Sequence, residues 1–572
     1  MTIDSGVDTL LAKYQGRGRE ALLPVLWDVQ GAFGSISPEH VHRISHLLRV
    51  PEADIFGVIG FYSLFHDEPT GRRIVRVCTD PTCALAGADE VLHELCERLD
   101  IREGQMTLDG EYTVEHSPCL GLCDFAPAAL ASARGEADVA LPNVSLNRLL
   151  DEWNGDYFQP AGDRSSVLLK PTLKDAPEML VEYGDYQSLR RAIQDVRPET
   201  VIAEVEASGL IGRGGAAFPT GLKWKFTRGA PSDIKYVVCN ADESEPGTFK
   251  DRVLMEHRPH LLLEGIALAA YAVGTDKAIV FIRGEYPKAT AILAAAIQEA
   301  EAAGLLGDAI MGSDFALDIE LRRGAGAYIC GEETALFEAV EGKRGFPRMK
   351  PPYPTTFGLF GQPTAVNNVE TLCAVPSIID RGPDWFKGIG TDGSAGPKLV
   401  SVSGHVGQPG VYEIEPGITL RHFLDQVCGG VIGELQAVLM GGAAGTFLKP
   451  EDIDVRLTFE DLRAVGSTFG SGAIMVFNQT TDLRDVLKRL GRFFQHESCG
   501  KCFPCQLGTQ RQVEILERLD APNAGDAERL MDIGLTMTEA SICGLGHTAG
   551  IAVMSAIEKF PELFQANGIQ HG

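Results

Sequence analysis

Apolar and polar positions along this chain fall into runs of different period, and the periods mark its elements. Arg73-Ile-Val-Arg-Val-Cys78 alternates basic and apolar residues and predicts a strand. Val91, Leu92, Leu95 and Leu99 then recur on one face of a helix. Two compact apolar runs, Ile234–Cys239 and Lys277–Ile282, predict buried strands, with a helix over Lys288–Ala303 behind the second. That βα alternation is the pattern of a parallel sheet. Lys398-Leu-Val-Ser-Val-Ser-Gly-His-Val, Gly410-Val-Tyr-Glu-Ile and Leu420-Arg-His-Phe-Leu predict a strand, a hairpin partner and a helix. From about residue 481 onward, Leu483, Val486, Leu487 and Leu490 place one apolar stripe on an amphipathic helix.

Composition narrows the picture. A chain of 572 residues is too long for one core and divides into several domains. The strongest membrane-like run, Leu261 to Gly274, is broken by Glu264 and too short to span a bilayer. The N-terminus, MTIDSGVDTL, lacks the regions of a signal peptide, so cytoplasmic residence is expected. With 51 basic and 78 acidic residues the net charge is −27, which argues against nucleic acid or an anionic membrane as a partner. Thirteen cysteines, an odd number without a secretion signal, argue against a disulfide framework. Five of them (Cys96, Cys239, Cys330, Cys373 and Cys428) stand singly in apolar contexts and read as small core residues.

The other eight form two ligand-like groups. Cys499, Cys502 and Cys505 follow C-x2-C-x2-C spacing, and Cys543 comes 38 residues later. That arrangement suits a 4Fe–4S cubane, because one short loop places three thiolates at three corners. Cys78 and Cys83 precede Cys119 and Cys123, two pairs on two loops, which suits a 2Fe–2S centre with two thiolates per iron. Four cysteines also suit tetrahedral zinc, the main rival at this second group, although zinc sites favour tighter spacings. Residues 208–226 form a glycine-rich turn containing Gly212, Gly214 and Gly215, whose amides can approach a phosphate that Arg213 and Lys223 would neutralise. After the apolar run at Tyr236 come Asn240, Asp242, Glu243 and Glu245, for which the alternative is a surface turn capping the helix that starts near Thr248.

The N-terminal cysteine pattern resembles the thioredoxin-like 24-kDa 2Fe–2S subunit of respiratory complex I. There a small helical bundle precedes the ferredoxin, and Ile55–Val58 and Phe61–Phe65 are similar to the family's aromatic stretch. Residues 208–226, 236–247, 324–336 and 362–371, in this order, resemble the 51-kDa flavoprotein subunit of complex I. That family usually has Gly where this chain has Ala217. The resemblance implies FMN, NAD, a 4Fe–4S cluster and a 2Fe–2S cluster as cofactors. It places Asn240, Asp242 and Glu245 round the isoalloxazine and ribityl groups, with Glu243 in the same acidic turn. Tyr328 belongs to the third segment, whose Gly331, Glu332 and Glu333 lie against flavin and nicotinamide, and Asn367 and Asn368 bond the flavin's polar edge. Phe218 and Phe226 sandwich adenine, completed by Lys350 and Tyr353. Glu245 and Glu333 are the candidate catalytic residues, expected to orient or tune, because hydride passage between stacked nicotinamide and flavin needs no side-chain base.

The expected architecture is multidomain α/β. A helical bundle covers 1–70, a thioredoxin-like 2Fe–2S domain 71–155, a linker 156–174 and a Rossmann-like FMN- and NAD-binding domain 175–395. A β-grasp (SLBB-like) domain over 396–480 and a C-terminal helical 4Fe–4S bundle over 481–572 complete it. Fusion of the two complex I-like modules resembles diaphorase subunits. The leading expectation is the β subunit of an NAD-dependent formate dehydrogenase. Its partner would be a catalytic α subunit carrying a molybdenum or tungsten pterin cofactor and further iron–sulfur clusters. The alternative is the diaphorase subunit of an NAD-reducing nickel–iron hydrogenase, or a complex I-type NADH dehydrogenase module. A tail with two more clusters, as in electron-bifurcating hydrogenases, is not expected, since no cysteine follows Cys543. The non-enzyme reading is a zinc-stabilised interaction protein with an inert flavin fold.

Overall fold

The computed structural model describes residues 3–151, 153, 155–157, 166–169 and 176–565. Most of the expected linker 156–174 lies outside the described residues, as do Met1, Thr2 and 566–572.

The architecture is multidomain α/β. Four short helices, Ile3–Leu11, Leu22–Phe33, Pro38–Leu48 and Glu52–Ile59, come first. Ser37 starts the third by accepting a hydrogen bond from the His40 amide, with Pro38 at the first helical position. Strands β1 (Arg73–Cys78), β2 (Tyr112–Ser117), β3 (Ala129–Ala133) and β4 (Val139–Leu141) then form a sheet in the order β2-β1-β3-β4, parallel only between β1 and β2. Helix Ala88–Leu99 lays Leu95 against it.

The second sheet is all parallel, β7-β6-β5-β8, from β5 (Tyr236–Ala241), β6 (Lys277–Ile282), β7 (Asp318–Arg323) and β8 (Thr364–Asn368). The apolar run from Leu261 lies in helix Pro259–Val273, which is buried on nearly every side and serves as a core helix. Among the described residues no helix is long and apolar enough to cross a membrane. The strand expected at Ile234–Cys239 runs Tyr236–Ala241, because Ile234 is exposed and Ala241 joins the ladder.

A two-residue ladder of β9 (Gly390–Thr391) and β10 (Ser394–Ala395) leads into a third sheet. It contains β11 (Lys398–Gly404), β12 (Gly410–Ile414), β13 (Leu435–Met440), β14 (Thr446–Leu448) and β15 (Ala473–Asn478), in the order β12-β11-β15-β13-β14. The helix expected at Leu420 is α-helical only to His422 and then widens into a π turn over Phe423–Val427. Five helices close the described chain: Leu483–Glu497, capped by Asp482, then Phe503–Leu516, Asp526–Ala540, Gly544–Thr548 and Ile551–Lys559.

The modules are sewn together by named contacts. Trp27 Nε1 donates to Gly324 O (3.1 Å), and the Ser63 and Leu64 amides donate to Gly326 O and Ala325 O (both 3.0 Å). The first module thereby seats the loop after β7. In the described part of the linker, the Glu413 carboxylate accepts the amides of Val167, Leu168 and Leu169 at 2.7–2.9 Å. Lys398, Glu370 and Lys250 form a buried ion network with Asp251 at the joint with the third sheet, at 2.7–3.0 Å. Burial alone would raise the Glu370 carboxyl, but Lys398 and Lys250 outweigh it and hold the group down at about 2.

Candidate functional site

A parallel sheet offers its ligand crevice at the carboxyl ends of its strands, where the strand order changes direction. Here that place lies between β5 and β8, whose ends pair Asn240 with Asn368. A cavity of about 600 Å³ opens there, walled by Gly214 and Gly215 of the glycine turn, Asn240 of β5, Asp242 and Glu245 just after it, and Tyr328, Gly331 and Glu332. Gly441, Ala444 and Ser471 of the third sheet and Leu545 and Thr548 of the C-terminal helices complete the wall. None of those five stood among the expected site residues. For Gly441, Ala444 and Ser471 the sequence signal is the density of glycine at Gly441-Gly442 and Gly470-Ser-Gly472.

The wall is built by mutual hydrogen bonding. Asn240 Nδ2 donates to Gly331 O (2.8 Å), and Asn240 Oδ1 accepts the Asp242 amide (3.2 Å). Asp242 Oδ2 is buried without a hydrogen-bond partner, and burial pushes this carboxyl well above the usual carboxylate range. Glu245 accepts from the Tyr328 hydroxyl and from the Ala444 amide (2.7 Å), and burial raises it to about 7. Gly442, at φ +85°, lies so close that a Cβ there would sit 2.5 Å from Glu245 Cγ. The Tyr328 amide donates to Glu497 (2.8 Å), and its ring packs 5.1 Å from Phe493. A buried carboxyl oxygen without a partner and a glycine-lined floor fit the polar rim and phosphate of an FMN.

On the adjoining rim, Glu332 caps helix Glu333–Val340 by accepting the Thr334 and Ala335 amides (both 2.9 Å). Lys350 Nζ bridges Glu332 (2.9 Å) and Glu333 (2.6 Å). Burial opposes the Lys350 charge, but Glu333 and Glu332 outweigh it and raise its affinity for a proton. Lys223 stands over Phe218 at 6.0 Å and spends one N–H on Val366 O (2.7 Å). Phe218, Phe226 and Tyr353 are large rings left 42%, 50% and 59% exposed. Exposed rings of this kind suit a stacked nucleotide base.

Three expected site residues do other work. The Arg213 guanidinium is turned into the core and donates to Ala395 O (2.6 Å), while its amide donates to Thr371 Oγ1 (2.9 Å), so it faces no phosphate site. Asn367 is buried and accepts from Trp224 Nε1 (2.8 Å), leaving Asn368 as the pocket-facing amide. Glu243 accepts the Asp251 and Arg252 amides (2.8 and 2.9 Å), so its carboxylate caps helix Lys250–His257, the role the alternative reading assigned to this turn. Gly212 closes the glycine turn through its amide to Phe218 O (2.9 Å), and Ala217 takes φ +52°, a left-handed conformation that glycine adopts without strain.

All four N-terminal cysteines are buried and face one another. Cys119 and Cys123 Sγ lie 3.4 Å apart, and Cys78 bonds to Cys119 and Cys83. Hydrogen bonds from Cys123 and Cys78 hold the Cys119 thiol below its ordinary range, against the effect of burial. In the C-terminal group Cys499 follows helix Leu483–Glu497, Cys502 caps helix Phe503–Leu516, Cys505 sits in its first turn and Cys543 caps Gly544–Thr548. Cys505 faces the other three, and burial raises it to about 12 and Cys543 to about 11. At Cys543 the amides of Leu545 and Gly546, at a helix start, work against that rise without overcoming it. Each place gathers four cysteines, the number and kind of donor that a 2Fe–2S and a 4Fe–4S centre take.

Fold and sites together define an electron-transfer protein with one flavin pocket and two iron–sulfur ligand sets. Family models match residues 7–153 as a thioredoxin-like [2Fe-2S] ferredoxin and 205–377 as a Nuo51 FMN-binding domain. They match 398–466 as an SLBB domain and 485–567 as an NADH-ubiquinone oxidoreductase-F iron–sulfur binding region. The NAD-reducing hydrogenase HoxS subunit alpha of Cupriavidus necator is 37% identical over 100% of this chain and 95% of its own length. A subunit of the NADH-quinone oxidoreductase of Rhizobium meliloti is 45% identical over 67% of this chain and 92% of its own. A crystal structure of an air-oxidized NAD+-reducing [NiFe]-hydrogenase superposes with a TM-score of 0.84 at 34% identity, covering 96% of this chain and 94% of that one. The chain belongs to this family of NADH-dehydrogenase-type flavin and iron–sulfur subunits. Its domains are those of a protein that binds FMN, NADH, a 2Fe–2S and a 4Fe–4S centre.

Proposed function

We propose that this chain is the diaphorase subunit of an NAD-reducing hydrogenase-type complex, exchanging hydride with NAD(H) and single electrons with a metal-containing catalytic partner. One observation carries the choice of partner. The alignment with the C. necator hydrogenase subunit spans the whole fused order of modules, whereas the R. meliloti oxidoreductase subunit aligns over about two thirds of this chain. The formate dehydrogenase partner expected first from the sequence has no such support among these relatives.

FMN, when bound, supplies the conversion between a two-electron hydride and single electrons. Phe218 and Phe226 hold the adenine end of the nucleotide, with Tyr353 beside them. Lys350 completes that pocket, with Glu332 and Glu333 fixing the lysine in place. Asn240, Asp242, Asn368 and the amides round Gly214, Gly215 and Gly331 orient the flavin. Glu245 joins the flavin turn to Tyr328 and to the third sheet, excluding water from the pocket floor. The cysteine sets hold the iron that takes electrons onward.

Copurification of the native complex, with metal and flavin quantitation, tests the reading. Nickel in the copurifying partner and NADH-driven viologen reduction are expected. Molybdenum or tungsten in its place overturns the hydrogenase assignment and leaves the diaphorase intact. A protein that retains no flavin and reduces no acceptor with NADH overturns both.

A further inference from the structure

Two buried arginines reach from the flavin domain into the loop that carries Cys119 and Cys123. Arg283, just past β6, donates through Nη2 to Cys119 O (2.7 Å) and through Nη1 to Glu243 O (2.6 Å) in the turn that walls the flavin cavity. Its counter-charge is Glu285, at 2.9 Å. Arg252 donates through Nε to Gly121 O (2.7 Å) and through Nη2 to Asp124 (3.0 Å). Between these contacts Gly121, at φ +65°, lies so close to Tyr286 that a Cβ would stand 2.1 Å from the tyrosine oxygen. The loop's Gly121 amide points at Cys119 Sγ (3.4 Å).

We propose that Arg283 is a positioning residue that raises the reduction potential of the 2Fe–2S centre, with Glu285 setting how much of its charge that centre feels. One-electron reduction of the centre, by an electron that NADH delivers through the flavin, adds one negative charge and breaks no bond. A fixed positive charge at low dielectric stabilises the more negative state, and so does an amide directed at a ligand sulfur. By holding the carbonyls of Cys119 and Gly121, the arginines also fix the two peptide planes that flank the one carrying the Gly121 amide. Arg283 further connects the flavin turn to the cluster loop within a single side chain. An arginine that merely glued two modules together would affect how much cluster is retained and leave the potential of the retained cluster alone. The inference rests on the 2Fe–2S domain and is independent of which catalytic partner the complex contains.

The test is an EPR-monitored redox titration of the full-length protein loaded with FMN and both clusters, the 4Fe–4S signal serving as internal reference. Arg283→Gln is expected to lower the reduced-to-oxidised ratio of the 2Fe–2S centre at fixed potential about tenfold, about 59 mV for one electron, with a smaller change at the 4Fe–4S centre. Arg283→Lys, which keeps the charge and loses the fork, is expected to fall between parent and glutamine variant. Glu285→Gln is expected to shift the 2Fe–2S centre the opposite way, because the guanidinium loses its counter-charge. An unchanged 2Fe–2S potential in an iron-replete Arg283→Gln protein overturns the proposal, as does an equal shift of both clusters. Should Arg283→Gln fail to retain its cluster, Glu285→Gln decides alone: a raised potential supports the proposal, and an unchanged or lowered one refutes it.

Discussion

Glu245 is a buried acid whose ordinary carboxyl value of 4.5 is raised to about 7, burial being the largest cause, while bonds from Tyr328 and the Ala444 amide work the other way. Such a shift corresponds to about 3 kcal/mol of differential stability, at roughly 1.4 kcal/mol per tenfold change in proton affinity. The sign follows from the direction. A raised value in the folded state means that the protonated acid stabilises the fold fully below about pH 4.5. That contribution is lost as pH rises to about 7 and beyond, where the fold must hold a buried charge. Glu245→Gln keeps the shape and cannot ionise. The stability of this variant relative to the parent should therefore rise between about pH 4.5 and 7 by up to about 3 kcal/mol and then level off. In calorimetric scans of the FMN-loaded protein this is a relative gain in Tm of roughly 5–10 °C for a domain of about 200 residues. A Tm difference that stays constant across that pH range, or falls with rising pH, refutes the assignment of a protonated Glu245.

Replacing Cys543 by alanine should remove roughly four iron atoms per chain and the 4Fe–4S EPR signal while the 2Fe–2S signal survives, because the two ligand sets share no thiol. Ala217→Gly should stabilise the flavin domain by about 0.5 kcal/mol, relief of a left-handed alanine outweighing the extra chain entropy of glycine, as read from calorimetric Tm. Phe218→Ala and Phe226→Ala should each raise KM for NADH roughly fivefold, about 1 kcal/mol of lost stacking, at nearly unchanged kcat. Steady-state kinetics with ferricyanide checks this, and a fall in kcat at constant KM would place the rings elsewhere in the reaction.

Much of this protein was legible in one dimension. Cysteine spacing, glycine turns and strand patterns are properties of short windows, and β1, β6 and β12 run where the local patterns of Arg73–Cys78, Lys277–Ile282 and Gly410–Ile414 put them. The cysteine groups are brought together as pairs and triplet because a loop of a few residues confines its own thiols. The acidic turn after β5 was legible as a site, yet its members part company. Asp242, Glu243 and Glu245 all border the cavity, but the Glu243 carboxylate is consumed by the amides of the next helix.

Long-range packing decided the rest. Arg213 looked like a phosphate ligand from its glycine neighbours, but Ala395, far along the chain, offers its carbonyl and takes the guanidinium inward. Asn367 and Asn368 are adjacent in sequence, and strand alternation sends the first to Trp224 in the core and the second to the pocket. Nothing near Arg252 or Arg283 in sequence marks them as partners of a cysteine loop more than a hundred residues away. The pocket floor needed Gly442 to come within a methyl's width of Glu245. The chain alone therefore determined which cysteines stand in groups and where many of the strands and helices run, since both are settled by neighbours a few bonds away. Only the tertiary structure decided which polar groups remain free to meet a ligand, because each buried donor and acceptor takes the partner that packing brings to it.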